Sequence, residues 1–276
     1  MFTLITGIGY TGRRVLDRLP RRSVLGLSRS AIETKRQAKI FDLDSATSLP
    51  IALPRRYAVI YTVPPKGSPP DDRLQGFVSL LEPTPARFVY ISTTGVYGDC
   101  EGGTVTEASP VNPSNQRSAR RVAAEMLLTA WAEKNDVDLV ILRAPGIYGP
   151  GRLGIERIQA QLPVLSKASA NPGNRVHVDD LAHCCVAALS KRVPAGIYNV
   201  GDGDHRSATW FAGEVARQSG LPAPPEISRE RAGAEFSPQR LSFLTESRRV
   251  DTTKMREVLG VTPRYANPED GIKASL

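Results

Sequence analysis

The sequence predicts an α/β fold, a doubly wound parallel sheet carrying a smaller C-terminal lobe. Three observations predict it. The apolar run 2–6 passes through Gly7, Gly9 and Gly12 into an amphipathic stretch, so a G-x-G-x-x-G turn stands between a strand and a helix. Strand-like apolar runs then alternate with helical periods, which implies right-handed crossovers and a parallel sheet. At 276 residues the chain holds one large domain with a lobe grown from it. The expected division is a core over 1–150 and a lobe over 151–276, with 176–204 returning to the core sheet.

Each element follows from its residues. The first helix is expected over 13–19, with Val15, Leu16 and Leu19 on one face, and Pro20 ends it. Strands follow at 23–27, 38–41 and 57–63. The last runs into Pro64-Pro65-Lys66-Gly67-Ser68-Pro69-Pro70, which neither a helix nor a central strand accepts, so it is a loop. A helix over 71–81 and a strand over 87–92 come next. The clearest helical period covers 118–134, with Ala119, Val122, Ala123, Met126, Leu127, Ala130 and Trp131 on its apolar face. A strand is expected over 137–142. Val176-His177-Val178-Asp179-Asp180 opens a helix reaching about 190, its two aspartates read as an N-cap and a favourable charge for the helix dipole. A strand at 196–200 and helices at 209–218 and 253–259 complete the pattern. The looser C-terminal part is expected to cap the carboxyl ends of the strands, where ligands bind in such sheets.

Composition narrows the partners. Apolar residues make up 41% and charged residues 23% of the chain, the profile of an ordinary globular protein. No apolar run approaches the roughly 20 residues of a membrane span, and the N-terminus shows no signal-peptide pattern; a cytoplasmic protein without a membrane partner is expected. Cys100, Cys184 and Cys185 lack metal-ligand or disulfide-framework spacing, and His177, His183 and His205 add no ligand set, so no metal is expected. The net charge of +8 is spread over short pairs such as Arg13-Arg14 and Arg120-Arg121, with 6% aromatics and no stacking platform. That argues against nucleic acid and leaves an anionic small molecule as the ligand the charge favours.

The glycine turn specifies a dinucleotide site. Gly7 permits the tight turn, Gly9 lets backbone approach a pyrophosphate, and Gly12 lets helix pack on strand, with Ile8, Tyr10 and Thr11 between them. About 20 residues on, where an acidic residue would hold a ribose 2′-hydroxyl, the sequence reads Leu27-Ser28-Arg29-Ser30. A hydroxyl and a guanidinium stand there instead, donors suited to a 2′-phosphate, and NADP is favoured over NAD.

These segments together resemble the extended short-chain dehydrogenase/reductase family, the NAD-dependent epimerases and dehydratases. The resemblance rests on the glycine turn, Asp42-Leu43, Tyr90-Ile91-Ser92-Thr93-Thr94-Gly95-Val96-Tyr97-Gly98-Asp99, Leu142-Arg143-Ala144-Pro145-Gly146-Ile147-Tyr148-Gly149-Pro150-Gly151-Arg152 and Val176-His177-Val178-Asp179-Asp180-Leu181-Ala182, in the family's order. It implies a Rossmann-type fold with a substrate-side C-terminal lobe, a nicotinamide cofactor and a small-molecule substrate such as a nucleotide sugar or other anionic compound, with self-association possible. It adds Asp42, Leu43, Val63 and Arg121 to the cofactor residues. The glycine spacing is one residue shorter than the G-x-x-G-x-x-G of extended members, as in an atypical branch.

The resemblance also implies a Ser/Thr and a Tyr-x-x-x-Lys pair, in which the tyrosine moves the proton and the hydroxyl holds the substrate oxygen. Thr93 falls at the Ser/Thr position. Aligned on Glu125, the tyrosine and lysine positions are Arg117 and Arg121. Arginine keeps its proton near neutral pH, so the usual route is missing. Two readings stay open. One is an oxidoreductase or epimerase with another acid/base: Tyr97, Tyr148 and His177 are the candidates beside the Thr93 hydroxyl, with a structural role in ordering the second lobe favoured for His177. The other is a non-catalytic dinucleotide-binding redox sensor or interaction protein. Arg143 and Arg152 are candidate anion contacts or salt-bridged residues.

Overall fold

Buried on both faces, the run Phe2–Thr6 forms β1 at the centre of a parallel sheet, as its unbroken apolar character requires. A computed structural model describes residues 1–67, 72–237, 241 and 246–276. Ser68, Pro69, Pro70 and Asp71, part of the expected loop and helix start, lie outside the described residues.

The next strands are β2 (Val24–Ser28), β3 (Ala38–Ile40), β4 (Tyr57–Tyr61) and β5 (Arg87–Thr93). Beyond them come β6 (Thr104–Val105), β7 (Asp138–Ala144), β8 (Gly146–Tyr148), β9 (Val164–Leu165), β10 (Arg175–His177) and β11 (Gly196–Asn199). Seven of these build one parallel sheet in the order β11-β7-β5-β4-β1-β2-β3. The order reverses between β1 and β4, and the glycine turn leaves β1 at that switch point, where ligands bind in doubly wound sheets.

Helices cover both faces, apart from the short α4 (Ile155–Gln159) that follows β8. On one side lie α1 (Tyr10–Arg18) and, returning from late in the chain, α5 (Val178–Ala187), packed on each other over a core that includes Val15, Leu16, Leu181 and Cys185. The last turn of α5 is tied down by Arg87, 2% exposed, whose guanidinium donates to the carbonyls of Ala188 (2.5 Å) and Val193 (2.6 Å). On the other side lie α2 (Asp72–Ser79) and α3 (Gln116–Asn135), over Tyr61, Phe77, Phe88 and Leu128. Both cysteines of the adjacent pair are buried, and burial pushes the Cys185 thiol up to about 12, which leaves it a packing residue.

Two local expectations are corrected. The buried residues of α3 are Ser118, Ala124, Glu125, Leu128 and Ala132, while Met126 is 69% exposed. The helix is rotated away from its apolar face because Glu125 turns inward to meet Arg143 on β7, a partner invisible to helical periodicity. Helix α5 is not capped by Asp179 or Asp180. His177 is the N-cap, its Nδ1 accepting from the Asp179 N–H (3.1 Å). Asp179 instead pairs with Arg18 of α1 (2.7 Å), and the buried Asp180 accepts the backbone N–H groups of Arg264 and Tyr265 (2.9 and 3.0 Å).

The C-terminal part builds on the sheet's carboxyl edge through short parallel pairs. β10 pairs with β8, Glu226–Ile227 (β12) with β9, and Arg249–Val250 (β13) with β6. Met255, Leu259 and Val261 then return to the main core beside Tyr198 of β11. Among the described residues, no helix is long and apolar enough to cross a membrane.

Candidate functional site

Helix α1 begins inside the glycine motif, three residues earlier than periodicity suggests, and that gives each glycine its task. Gly7 has φ +94°, and a Cβ there would press on Val63 and Thr62. Gly12 lies within α1, where a Cβ would stand 2.0 Å from the Gly7 carbonyl oxygen, so helix and turn pack backbone to backbone. Around Gly9 nothing lies within 4 Å of a built Cβ. Gly9 is also the N-cap of α1, without a side-chain cap and with no acidic residue in the first turn. The first N–H groups of α1 therefore face open space at the positive end of the helix, the arrangement that receives a phosphate.

That space belongs to a cavity of about 550 Å³ running along the carboxyl ends of β1, β2 and β4. Its wall carries Gly7, Ile8, Gly9, Tyr10, Thr11, Ser28, Arg29, Asp42, Leu43, Val63 and Arg121; of the expected cofactor residues only Gly12 lies behind it. Phe41, Leu43 and Val63 supply apolar surface at one end, and Arg29 is exposed there. Asp44 beside them is engaged by Lys66 (3.5 Å) and Arg73 (3.7 Å).

A second cavity, about 520 Å³, lies between the sheet edge and the C-terminal lobe. Ile91, Arg121, Ile147 and Arg152 line both cavities, so the two meet there. Arg121 reaches this junction from α3 and donates to the Ile91 carbonyl (2.6 Å) and the Tyr90 hydroxyl (3.2 Å). Arg152 lies 3.9 Å from the centre of the Tyr10 ring and Arg14 4.4 Å from it, and the Tyr10 hydroxyl donates to the Pro150 carbonyl (3.1 Å). Tyr10 thus joins the start of α1 to the loop that walls the second cavity.

Thr93 opens on the second cavity at the end of β5. Its Oγ1 accepts the Gly95 N–H (3.2 Å), capping a 3₁₀ turn over Thr94–Tyr97, and the hydroxyl keeps its own hydrogen to donate. Tyr97 and Tyr148 line neither cavity, which corrects the expectation that they reach a substrate. Tyr97 is 1% exposed, its hydroxyl donating to Asn199 Oδ1 (2.7 Å) and its ring lying under Arg143. Tyr148 is packed edge-on against His177 and Phe211. Burial pushes both phenols above their ordinary range. Both side chains turn into apolar packing sites, Tyr97 from the 3₁₀ turn beside Val105 and Val250, and Tyr148 from β8 among Ile158, Val215 and Ile272. His177 is also enclosed, its Nε2 3.1 Å from the Ser275 hydroxyl, and burial holds its imidazole below the usual value. Arg143 is no anion contact, since its guanidinium makes a two-point pair with buried Glu125 (2.7 and 3.2 Å).

Sequence reasoning passed over Asp202. It is 5% exposed, its Oδ1 accepts the Asp204 N–H (2.9 Å), and its Oδ2 is buried without a partner. Burial lifts this carboxyl from its ordinary value to about 7, against the opposing pull of Arg175. The folded state therefore keeps a proton that the unfolded chain releases above about pH 4. Stability is lost as pH rises from there to about 7. Asp202→Asn, which keeps the Asp204 bond, should be more stable than wild type at pH 8 by roughly 2–4 kcal/mol and no more stable at pH 4. Urea unfolding at the two pH values checks this; an equal difference at both would refute it.

Comparison with known proteins agrees with this geometry. Residues 71–201 match the sequence model of the NAD dependent epimerase/dehydratase family. A dTDP-glucose 4,6-dehydratase of Streptomyces niveus is 30% identical over 192 residues, which cover 65% of this chain and 53% of that protein. A UDP-glucose 4-epimerase of Mycolicibacterium smegmatis is 29% identical over 195 residues, covering 66% and 59%. The matched region is thus a little over half the length of these relatives. Among solved structures, a conserved protein of unknown function from Silicibacter pomeroyi superposes with TM-score 0.78 at 27% identity, over 99% of this chain and 98% of the other. A UDP-glucuronic acid 4-epimerase from Bacillus cereus in complex with NAD shares the fold at TM-score 0.77 and 18% identity, over 100% and 97%. Sheet order, glycine turn and sequence match agree in making the chain similar to the extended short-chain dehydrogenase/reductase family and, over residues 71–201, to its epimerase/dehydratase group.

Proposed function

We propose that the protein is an NADP-using oxidoreductase or epimerase-like enzyme acting on an anionic small molecule, a nucleotide sugar being the class its relatives suggest, with acid/base residues that differ from the family's pair. The observation that carries this reading is the meeting of the two cavities at Ile91, Arg121, Ile147 and Arg152, with Thr93 on the substrate side. The open cradle at Gly9 and the uncapped start of α1 fit a pyrophosphate, and Leu43 and Val63 fit the flanks of an adenine. A bound nicotinamide would supply hydride exchange. Thr93 would donate a hydrogen bond to the reacting oxygen, and Arg121 would hold fixed positive charge beside the ribose and the oxygen as it gains electrons.

Arg29 supports the choice of NADP, being exposed and making no ion pair among the described residues. A charge-assisted bond to a 2′-phosphate contributes about 1.5–3 kcal/mol, roughly 10–100-fold in affinity. Arg29→Ser should weaken NADP by that factor and leave NAD unchanged in calorimetric titration. Tighter binding of NAD than NADP to wild type would reject the assignment.

The substrate cavity also favours a second reading, a dinucleotide-binding sensor. No tyrosine, lysine, histidine or cysteine lies on its wall among the described residues. Hydride exchange between labelled NADPH and nucleotide sugars or carbonyl compounds separates the two, since a sensor binds the cofactor without exchange. In the same reading, Met126 with Ala123 and Ala130 leaves an apolar strip on α3 for self-association, and a cytoplasmic location is proposed.

A further inference from the structure

Tyr10 stands where two parts of the molecule with different tasks meet. By its backbone it belongs to the glycine turn, as the first residue of α1, where the leading N–H groups face the open space beside Gly9. By its side chain it belongs to the loop 149–154, which leads from β8 to α4. Its hydroxyl donates to the carbonyl of Pro150, 140 residues further on, at 3.1 Å, and the Arg152 guanidinium lies 3.9 Å from its ring centre. Gly149 comes so close that a Cβ there would stand 2.7 Å from the Tyr10 hydroxyl and 2.7 Å from Val178. Arg14 steadies the ring from its own helix, 4.4 Å from the ring centre, while donating to the Tyr10 carbonyl (3.1 Å). At the far end of the loop, Leu153 is buried in the lobe cluster with Tyr148, Ile158 and Val215. Within it, the Arg152 N–H closes a turn on the Gly149 carbonyl (2.9 Å). Gly151 and Gly154 have nothing within 4 Å of a built Cβ. The loop is thus a strap fixed to the lobe through Leu153 and to the glycine turn through Tyr10. Arg152, on that strap, lines both cavities where they meet.

We infer that Tyr10 couples the two cavities: a phosphate held by the N–H groups at the start of α1 fixes Tyr10, and Tyr10 fixes the 149–154 strap with Arg152 at the junction. The substrate side of the site is thereby completed when the cofactor is in place, and Tyr10 is a positioning residue. The proposal rests on the first cavity being the cofactor site. Its physical basis is conformational entropy. Anchoring the Tyr10 backbone narrows the motion of its side chain, and the hydroxyl bond and the ring contact pass that restraint to a glycine-rich loop. Each of these contacts is weak and open to solvent, so the strap loosens without the cofactor and tightens with it. Such coupling is reciprocal, and a loosened strap also weakens cofactor binding.

Amide hydrogen exchange tests this, read by mass spectrometry on the whole chain with and without saturating dinucleotide, NADP and NAD in turn. In wild type the bound dinucleotide is expected to slow exchange by about fivefold or more, both in the glycine turn, 7–12, and in the strap, 149–154. In Tyr10→Ala the turn should still be protected, because its backbone N–H groups remain, while exchange in the strap should change by less than about twofold. Tyr10→Phe, which keeps the ring and loses the Pro150 bond, should fall between. A cofactor that merely covered the strap would protect it equally in all three proteins. That result would overturn the proposal, and if Tyr10→Ala does not fold, wild-type protection of the strap in Tyr10→Phe overturns it in the same way. A protected turn beside an unprotected strap in wild type rejects the coupling alone. If neither dinucleotide protects the wild-type turn or gives a heat of binding, the cofactor reading falls and the coupling with it.

Discussion

Glu125→Ala is expected to lower the unfolding free energy by about 3–5 kcal/mol, the usual cost of leaving a buried charge without its partner. Glu125 lies on α3 and Arg143 on β7, with side chains 8% and 4% exposed, and they meet through two hydrogen bonds. The Ser92 hydroxyl donates to the same carboxylate, and the Tyr97 ring lies 4.9 Å from the Arg143 guanidinium. Removing the carboxylate strands the guanidinium and the hydroxyl in a site that water does not reach freely. Chemical denaturation measures the loss. The pair Glu125→Leu with Arg143→Met should recover most of it, because two apolar groups of similar volume leave no charge to satisfy. If the double variant is less stable than Glu125→Ala, charge burial is not the source of the effect.

The second large effect separates two glycines three residues apart. Gly12→Ala should cost about 3 kcal/mol or more, since its methyl would enter the space of the Gly7 carbonyl oxygen. That oxygen cannot easily retreat, being bonded by the Thr62 hydroxyl at 2.5 Å, while the Gly7 N–H is held by the Leu27 carbonyl at 2.9 Å. Helix α1 would have to lift from the turn. Gly9→Ala meets nothing within 4 Å and has φ −86°, which any residue adopts, so its stability should stay within about 0.5 kcal/mol of wild type. Its methyl would instead occupy the approach of a pyrophosphate, and NADP affinity should fall at least tenfold. Thermal unfolding and cofactor titration of the two variants read these outcomes separately. Normal cofactor affinity in Gly9→Ala would contradict the pyrophosphate cradle.

Much of the architecture was legible because it is written in local patterns. Apolar runs such as 57–61 read as buried parallel strands, and the glycine turn announced a strand-to-helix junction with a ligand on it. Arg29 was placed by its offset from the glycine turn and Asp42, Leu43 and Arg121 by the family resemblance, and all four line one cavity. Local pattern failed where a side chain's partner comes from another element. Periodicity put Met126 on the apolar face and left Glu125 off it, whereas Arg143 draws Glu125 into the core and Met126 turns outward. Asp179 resembled an N-cap, but Arg18 of the neighbouring helix competes for it and His177 takes the cap. Tyr97 and Tyr148 looked like reaching phenols from their place after strands, and only the packing of β11, α5 and the C-terminal segment encloses them.

The residue order alone therefore indicates the parallel sheet and the glycine turn that opens α1, because strand burial, glycine sterics and helix-end electrostatics act within a few residues. The identity of the groups facing a ligand is a long-range matter. It depends on which charges find partners across the core. Glu125 and Arg143 neutralise each other there, and Glu246 is taken up by Arg248. Which charges are spent on one another is therefore decided only when distant elements pack.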